Sequence, residues 1–207
     1  MVPHPQQIGD GTPAALDAYR SPSKRVLDKE IGSLDTYCRD FIALSPFATL
    51  ATASSDGWPE VSPRGGAPGF VHVLDAHRLA LPDRLGNNRI DSLRNLVENP
   101  RAALMFFVPG FEETLRVYGT TSVVGPDALD VDLTEFGRRP LSVLVLQVSK
   151  AYFQCPKSVM RSGLWDPERR MDRSTYPSFG TVLREHCRDT SIPTDDAQMR
   201  SELAEEL

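Results

Sequence analysis

Apolar residues recur along this chain in two rhythms, one at offsets of three and four and one at offsets of two. From Leu34 to Leu44 the apolar set Leu34, Tyr37, Cys38, Phe41 and Ile42 follows the first. It predicts an amphipathic helix capped by Ser33 or Asp35 and stopped by Pro46. The second rhythm then takes over. Phe47 to Ala53 (FATLATA) reads as a strand, the Ser-Ser-Asp-Gly of residues 54–57 as a hairpin turn, and Trp58 to Pro63 as the returning strand. The Pro- and Gly-rich residues 63–69 predict a bent loop. Phe70–Leu74 and Arg78–Pro82 form a second hairpin around Asp-Ala-His. Ala102–Val108 is continuously apolar and predicts a strand buried on both faces. Glu113–Val124 predicts a long strand, with Leu115, Val117 and Gly119 on one face and Thr114, Arg116 and Tyr118 on the other. A helix is expected over about Ala128–Gly137, a last strand over Leu141–Phe153, and tail helices near 178–187 and 195–206. Residues 1–13 read as a loose arm and 14–32 as one or two short helices.

Between the second hairpin and the apolar strand lies LPDRLGNNRIDSLRNLVENP, residues 81–100. A strand end, an Arg- and Asn-rich turn and a helix opening near Asn88 are expected here. Ile90, Leu93, Leu96 and Val97 share its apolar face, and Asn87 or Asn88 caps it. A helix N-terminus carries unpaired N–H groups and partial positive charge, which suits a phosphate. Arg84 and Arg89 stand at that end, where a purely structural helix favours acids.

Hairpin-linked strands, with a helix only after the fourth, point to a mainly β chain with peripheral helices. The expected fold is an antiparallel six- to seven-stranded barrel rather than a parallel doubly wound sheet. The 207 residues and net charge of −5 fit one principal domain and argue against nucleic acid as a partner. No apolar run suffices to span a bilayer, and the start MVPHPQQIGDGTP has no secretory pattern, so neither a membrane nor an export signal is expected. Cys38, Cys155 and Cys187 are odd in number and widely spaced, which fits a reducing cytoplasm. Four scattered histidines give no metal signature, and no P-loop, Gly-x-Ser-x-Gly or Gly-x-Gly-x-x-Gly string occurs. Lys157, Arg161 and Trp165 fall at successive offsets of four. On a helix they make a basic stripe ending in an indole, either a solvated face docked by Trp165 or the wall of an anionic-substrate site.

The order of elements, with TLATASSDGWPEVSPRGG, LPDRLGNNR, LRNLVENPRAALMFF and ETLRVYG inside it, resembles the pyridoxamine 5′-phosphate oxidase-like superfamily. Its fold is the FMN-binding split barrel. The resemblance covers roughly residues 33–165 and assigns 1–32 to an N-terminal arm and 166–207 to a C-terminal helical extension. It implies that Val61, Ser62, Pro63 and Arg64 line the flavin ring and ribityl chain, with Leu81 and Pro82 beside the ring. It implies that Asn88 and Arg89, with Arg84 nearby, hold the FMN phosphate, and that Thr114 and Arg116 approach from the later strand or from a second subunit. The chain departs from the oxidase pattern in carrying Asn88 before Arg89 and Thr114 where the family has Gln. The oxidase's C-terminal Arg and His pair has no counterpart, and CPKSVMRSGLW instead resembles an uncharacterised subgroup. The implied function is an FMN-dependent oxidoreductase, homodimeric with flavin at the subunit interface. Hydride passes between flavin and a small substrate, anionic if Lys157 and Arg161 serve it. The alternatives are a flavin-binding or flavin-storing protein without turnover, and a haem or deazaflavin binder on the same fold.

Overall fold

The computed structural model describes residues 20–84 and 86–205. Two compact units separate, Met1–Glu30 and Ile31–Leu207. The first carries the short helix α1, Lys24–Asp28. The arm expected over residues 1–13 lies outside the described residues.

The second unit opens on α2, Thr36–Leu44, whose N-cap Asp35 accepts a 2.8 Å bond from the Cys38 amide. Seven strands follow: β1 Phe47–Ala53, β2 Pro59–Gly65, β3 His72–Asp75, β4 Arg78–Asp83, β5 Arg101–Phe107, β6 Thr114–Val124 and β7 Ser142–Gln154. They form one sheet in the order β2-β1-β5-β6-β7-β4-β3, and every neighbouring pair is antiparallel. This is the mainly β antiparallel architecture that the alternation predicts, and it agrees with the split barrel that the resemblance implies. The long β6–β7 ladder slips by one residue between Tyr118 and Gly119. The Ser149 hydroxyl bonds the Tyr118 carbonyl there, and a Cβ on Gly119 would meet the Gln147 carbonyl oxygen at 2.0 Å. Only glycine admits so close an approach, and the bulge bends the sheet.

The inner face buries Leu50, Leu104, Phe106, Leu115, Val117, Leu144 and Leu146, closed by Leu34, Phe41 and Ile42 around α2. β5 alternates rather than burying both faces: Ala102, Leu104 and Phe106 are buried, while Ala103, Met105 and Phe107 are half-exposed. The strand buried on both faces is β4, because the connection from β6 to β7 lies across its outer side. That connection is not the expected helix over 128–137. After a 3-10 turn at Pro126–Ala128, Leu129, Val131 and Leu133 recur at offsets of two and pack on Ala80 and Val143. Phe136 and Gly137 then take left-handed backbone conformations, φ 51° and 73°, which end any helix.

The helix after the second hairpin, α3, spans Asp91–Glu98 and opens later than expected. Its N-cap is Ile90, left-handed at φ 49° and without a side-chain cap bond. Asn88 is also left-handed, and Asn87 accepts from the Arg89 amide at 3.2 Å, so neither asparagine caps α3. Ser92 and Leu96 are buried and Leu93 packs against the core as expected, whereas Ile90, which now precedes the helix, and Val97 are exposed.

Candidate active site

β2 continues to Gly65, so Arg64 sits on a strand rather than in the expected bent loop. Alternation turns Ser62 and Arg64 inward and leaves Val61 66% exposed on the other face. Ser62, Pro63 and Arg64 meet Leu81 and Pro82 of β4 and then Arg84 around a cavity of about 700 Å³. Phe70 and Leu141 add apolar wall, and Gly86 and Asn87 reach the rim. Six residues expected at a ligand site from separate stretches of sequence therefore share one hollow. Val61, Asn88, Arg89, Thr114 and Arg116 do not line it.

A polar network fixes the β2 side. The Arg64 guanidinium bonds Asp83 at 2.9 Å, the Ser92 hydroxyl at 3.2 Å and the Ser62 hydroxyl at 3.2 Å. Ser92 also donates to Glu60 at 2.8 Å, and Thr52 donates to the same carboxylate oxygen at 2.8 Å. Asn95 reaches Thr52 at 3.1 Å, which ties α3 to β1. Among the described residues no buried side-chain polar atom is left unbonded. Arg64 is thus a positioned cation, held by an ion pair whose side chains are only 20% and 16% exposed.

The far wall comes from residues that the sequence reading missed. Glu135, Phe136, Arg138 and Arg139 close the cavity from the β6–β7 connection. The Glu135 and Arg138 backbones bond each other at 3.0 and 3.1 Å around the two left-handed residues, a tight turn of the primed kind. Glu135 pairs with Arg84 at 3.1 Å, both side chains largely buried, and accepts from the Ala67 amide at 2.5 Å. Arg84 also donates to the Arg138 carbonyl at 3.3 Å. A Cβ on Gly66 would come within 2.9 Å of both Glu135 carboxylate oxygens, so glycine leaves room for this latch. Behind it, His72 is held below its ordinary pKa, first by burial and then by Arg84.

Arg89 pairs with Asp91 at 2.8 Å at an exposed position. Asp91 is the first-turn acid that the α3 dipole favours, and Arg89 lies before the helix, so its charge is already partly answered.

Thr114 and Arg116 point away from the cavity. Thr114 is buried. On the outer face, Arg116 lies beside Tyr152 and Tyr118, whose rings stack at 5.8 Å with their hydroxyls 3.0 Å apart. Burial pulls the guanidinium pKa down, but the two phenols outweigh it and raise it. Burial lifts Tyr118, whereas bonds from Tyr118 and Arg116 bring Tyr152 below its ordinary value despite its own burial. Lys150 lies 4.9 Å over the Tyr118 ring.

The basic stripe of the tail is interrupted. α4 spans only Lys157–Ser162, and Gly163 ends it in a left-handed cap, so Trp165 is not on the helix. Its indole donates to the Phe111 carbonyl at 2.7 Å, which docks the segment. Arg161 bonds the Lys157 carbonyl at 3.1 Å, and none of the three lines the cavity. Burial, with Asp35 beside it, pushes the Cys38 thiol up to about 12, so that cysteine is inert.

Comparison with curated proteins returns no match. Among solved structures, HupZ of Group A Streptococcus aligns with a TM-score of 0.46 at 19% identity, over 58% of this chain and 93% of that one. Rv2991 from Mycobacterium tuberculosis gives 0.45 at 18%, over 69% and 94%. An FMN-binding protein from Syntrophomonas wolfei gives 0.42 at 19%, over 56% and 83%. These distant likenesses carry no functional argument. The profile of the pyridoxamine 5′-phosphate oxidase family matches residues 34–155, from the start of α2 to the end of β7, so the chain belongs to that family.

Proposed function

We propose that this protein is an FMN-dependent oxidoreductase whose flavin occupies the cavity between β2, β4 and the Glu135–Arg139 turn. The observation that carries this reading is the convergence of Ser62, Pro63, Arg64, Leu81, Pro82 and Arg84 on one hollow of about 700 Å³. That volume lies within the usual range for cofactor sites, roughly 300–1,000 Å³.

The donor set fits the group. Leu81, Pro82, Phe70 and Leu141 offer an apolar slot for a ring system. Ser62 and the fixed Arg64 guanidinium stand at its polar side, where a cation favours negative charge on a reduced flavin. Arg84 and Asn87, with Asn88 and Arg89 just beyond the rim, form the end suited to the phosphate. Bound FMN would supply hydride acceptance or donation. The protein would bind, orient and shield the reacting pair, with no side chain required as an acid or base.

The homodimer belongs to the same proposal. Phe47, Phe107, Met105, Arg116 and Tyr118 share the half-exposed outer face of β1, β5 and β6. A second copy seated there would cover this apolar area and the outward-facing Arg116. Three free cysteines suit a reducing compartment.

The test is to purify the protein, release any cofactor by denaturation and identify it by mass, then assay the holoprotein with reduced nicotinamide and with pyridoxamine phosphate. FMN and turnover support the proposal. FMN without turnover moves the protein to flavin storage, and released haem or deazaflavin rejects the FMN assignment.

A further inference from the structure

Deepening the flavin reading and resting on it, we propose that Ser92 and Glu60 are positioning residues for the bound flavin. They fix Arg64 and set the direction of the hydrogen bonds behind it, and through Arg64 they raise the potential of the flavin.

The alternation of β2 puts Glu60, Ser62 and Arg64 on one face. Opposite them β1 presents Thr52 to Glu60, but apolar Leu50 and Ala48 to Ser62 and Arg64. The polar partners of Ser62 and Arg64 therefore come from other elements, Asp83 at the end of β4 and Ser92 in the first turn of α3. Ser92 is 3% exposed and does not line the cavity, so it acts on a ligand only through the residues it holds.

The protons of this network have one consistent assignment. A serine or threonine hydroxyl has one proton to give and two lone pairs to offer. Ser92 and Thr52 both donate to the same Glu60 oxygen, each at 2.8 Å. Thr52 has then given its proton and accepts from the Asn95 amide at 3.1 Å. Ser92 has given its proton too, so in its 3.1 Å contact with Ser62 it accepts and Ser62 donates. The other Ser92 lone pair accepts from Arg64 Nη2 at 3.2 Å. Ser62 in turn accepts from Arg64 Nε at 3.2 Å. Every hydroxyl proton thus runs toward Glu60, and Arg64 donates at the other end.

The consequence reaches the cavity through Arg64. Its guanidinium is gripped at Nε by Ser62, at Nη1 by Asp83 and at Nη2 by Ser92, which fixes the plane of the group. A cation held in one place before charge develops stabilises the extra negative charge of a reduced flavin better than one free to swing away. Asp83 alone would leave the guanidinium free to turn about a single ion pair.

The test is a reductive titration of the holoprotein against a reference dye, with flavin content measured first. Ser92→Ala should lower the two-electron midpoint potential. The expected fall corresponds to a loss of about threefold to tenfold in affinity for reduced over oxidised flavin, or about 15–30 mV. Glu60→Gln keeps an acceptor oxygen for both hydroxyls, and its potential should not fall. Glu60→Ala loses the same charge and the acceptor as well, so its potential should lie below that of Glu60→Gln by the same margin. An unchanged potential in Ser92→Ala, or equal potentials in the two Glu60 variants, overturns the proposal. Should Ser92→Ala not fold or not hold flavin, the comparison of the two Glu60 variants decides. A flavin-free readout comes from urea unfolding of Ser92→Ala, Arg64→Met and the double variant. The double variant should be destabilised by less than the sum of the single effects, and strict additivity overturns the proposal. A wild type that carries no flavin while this coupling holds rejects the cofactor reading and leaves the link between Ser92 and Arg64 standing.

Discussion

Adjacent residues on β5 and β6 do opposite jobs. Phe106, Leu115 and Val117 point inward and are fully buried, whereas Phe107, Arg116 and Tyr118 point outward and are only partly covered. The arginines on the two sides of the sheet differ in the same way. On the cavity side Arg64 and Arg84 are each clamped by a carboxylate, Asp83 and Glu135. On the outer face Arg116 lies beside two phenols, which leave its positive charge uncancelled. The inner side is finished within one chain. The outer side carries apolar area and a cation, which the proposed homodimer would cover.

Truncation at neighbouring positions breaks or sharpens this contrast. Phe106→Ala should cost about 3–5 kcal/mol of stability in urea unfolding, because it empties a sealed core site. Phe107→Ala should leave intrinsic stability nearly unchanged and weaken dimerisation by about tenfold, read by sedimentation across a concentration series. If both variants lose the same unfolding stability and neither alters assembly, the two faces are not functionally distinct.

Asp83→Ala tests the cavity side next. It strips the partner from a largely buried guanidinium and should cost about 1–3 kcal/mol, with Asp83→Asn costing less. A cost near zero would mean that Arg64 is not held by this pair.

A smaller effect separates the faces by pH. His72, behind the latch, has its pKa lowered by burial and by Arg84, so the fold prefers its neutral form. Its contribution is full above the unfolded value of about 6.5 and is lost as pH falls through the lower folded value. Stability should therefore decline between neutral and mildly acidic pH, and His72→Gln should flatten that decline. An unchanged slope in His72→Gln would assign the acid sensitivity elsewhere.

Much of the fold was legible because strand alternation is local. FATLATA and the Asp-Gly turn place β1 and its return without tertiary information, and Leu115, Val117 and Gly119 share a face as expected. The β6–β7 connection was not, because Leu129, Val131 and Leu133 find their partners on β4 and β7, far away in sequence. The start of α3 was missed because Asn88 and Ile90 spend their residues on left-handed turns rather than on capping. The β2 and β4 walls of the site were readable from stretches of family pattern. The Glu135–Arg139 wall was not, since its role comes from folding back over Arg84 and Gly66. The available signals were the period of two before it and the Gly-Arg-Arg-Pro that follows Phe136.

We propose that the cavity holds a phosphorylated flavin whose phosphate lies at Arg84, Asn87, Asn88 and Arg89. The most direct measurement is the affinity of flavin-free protein for FMN and for riboflavin, in the wild type and in Arg89→Ala. One charge-assisted bond is worth about 1.5–3 kcal/mol, roughly tenfold to hundredfold in affinity. FMN should bind the wild type tighter than riboflavin by at least that margin, and Arg89→Ala should fold normally and lose most of the difference. Equal affinity for FMN and riboflavin in the wild type, or an FMN affinity unchanged by Arg89→Ala, would contradict the assignment.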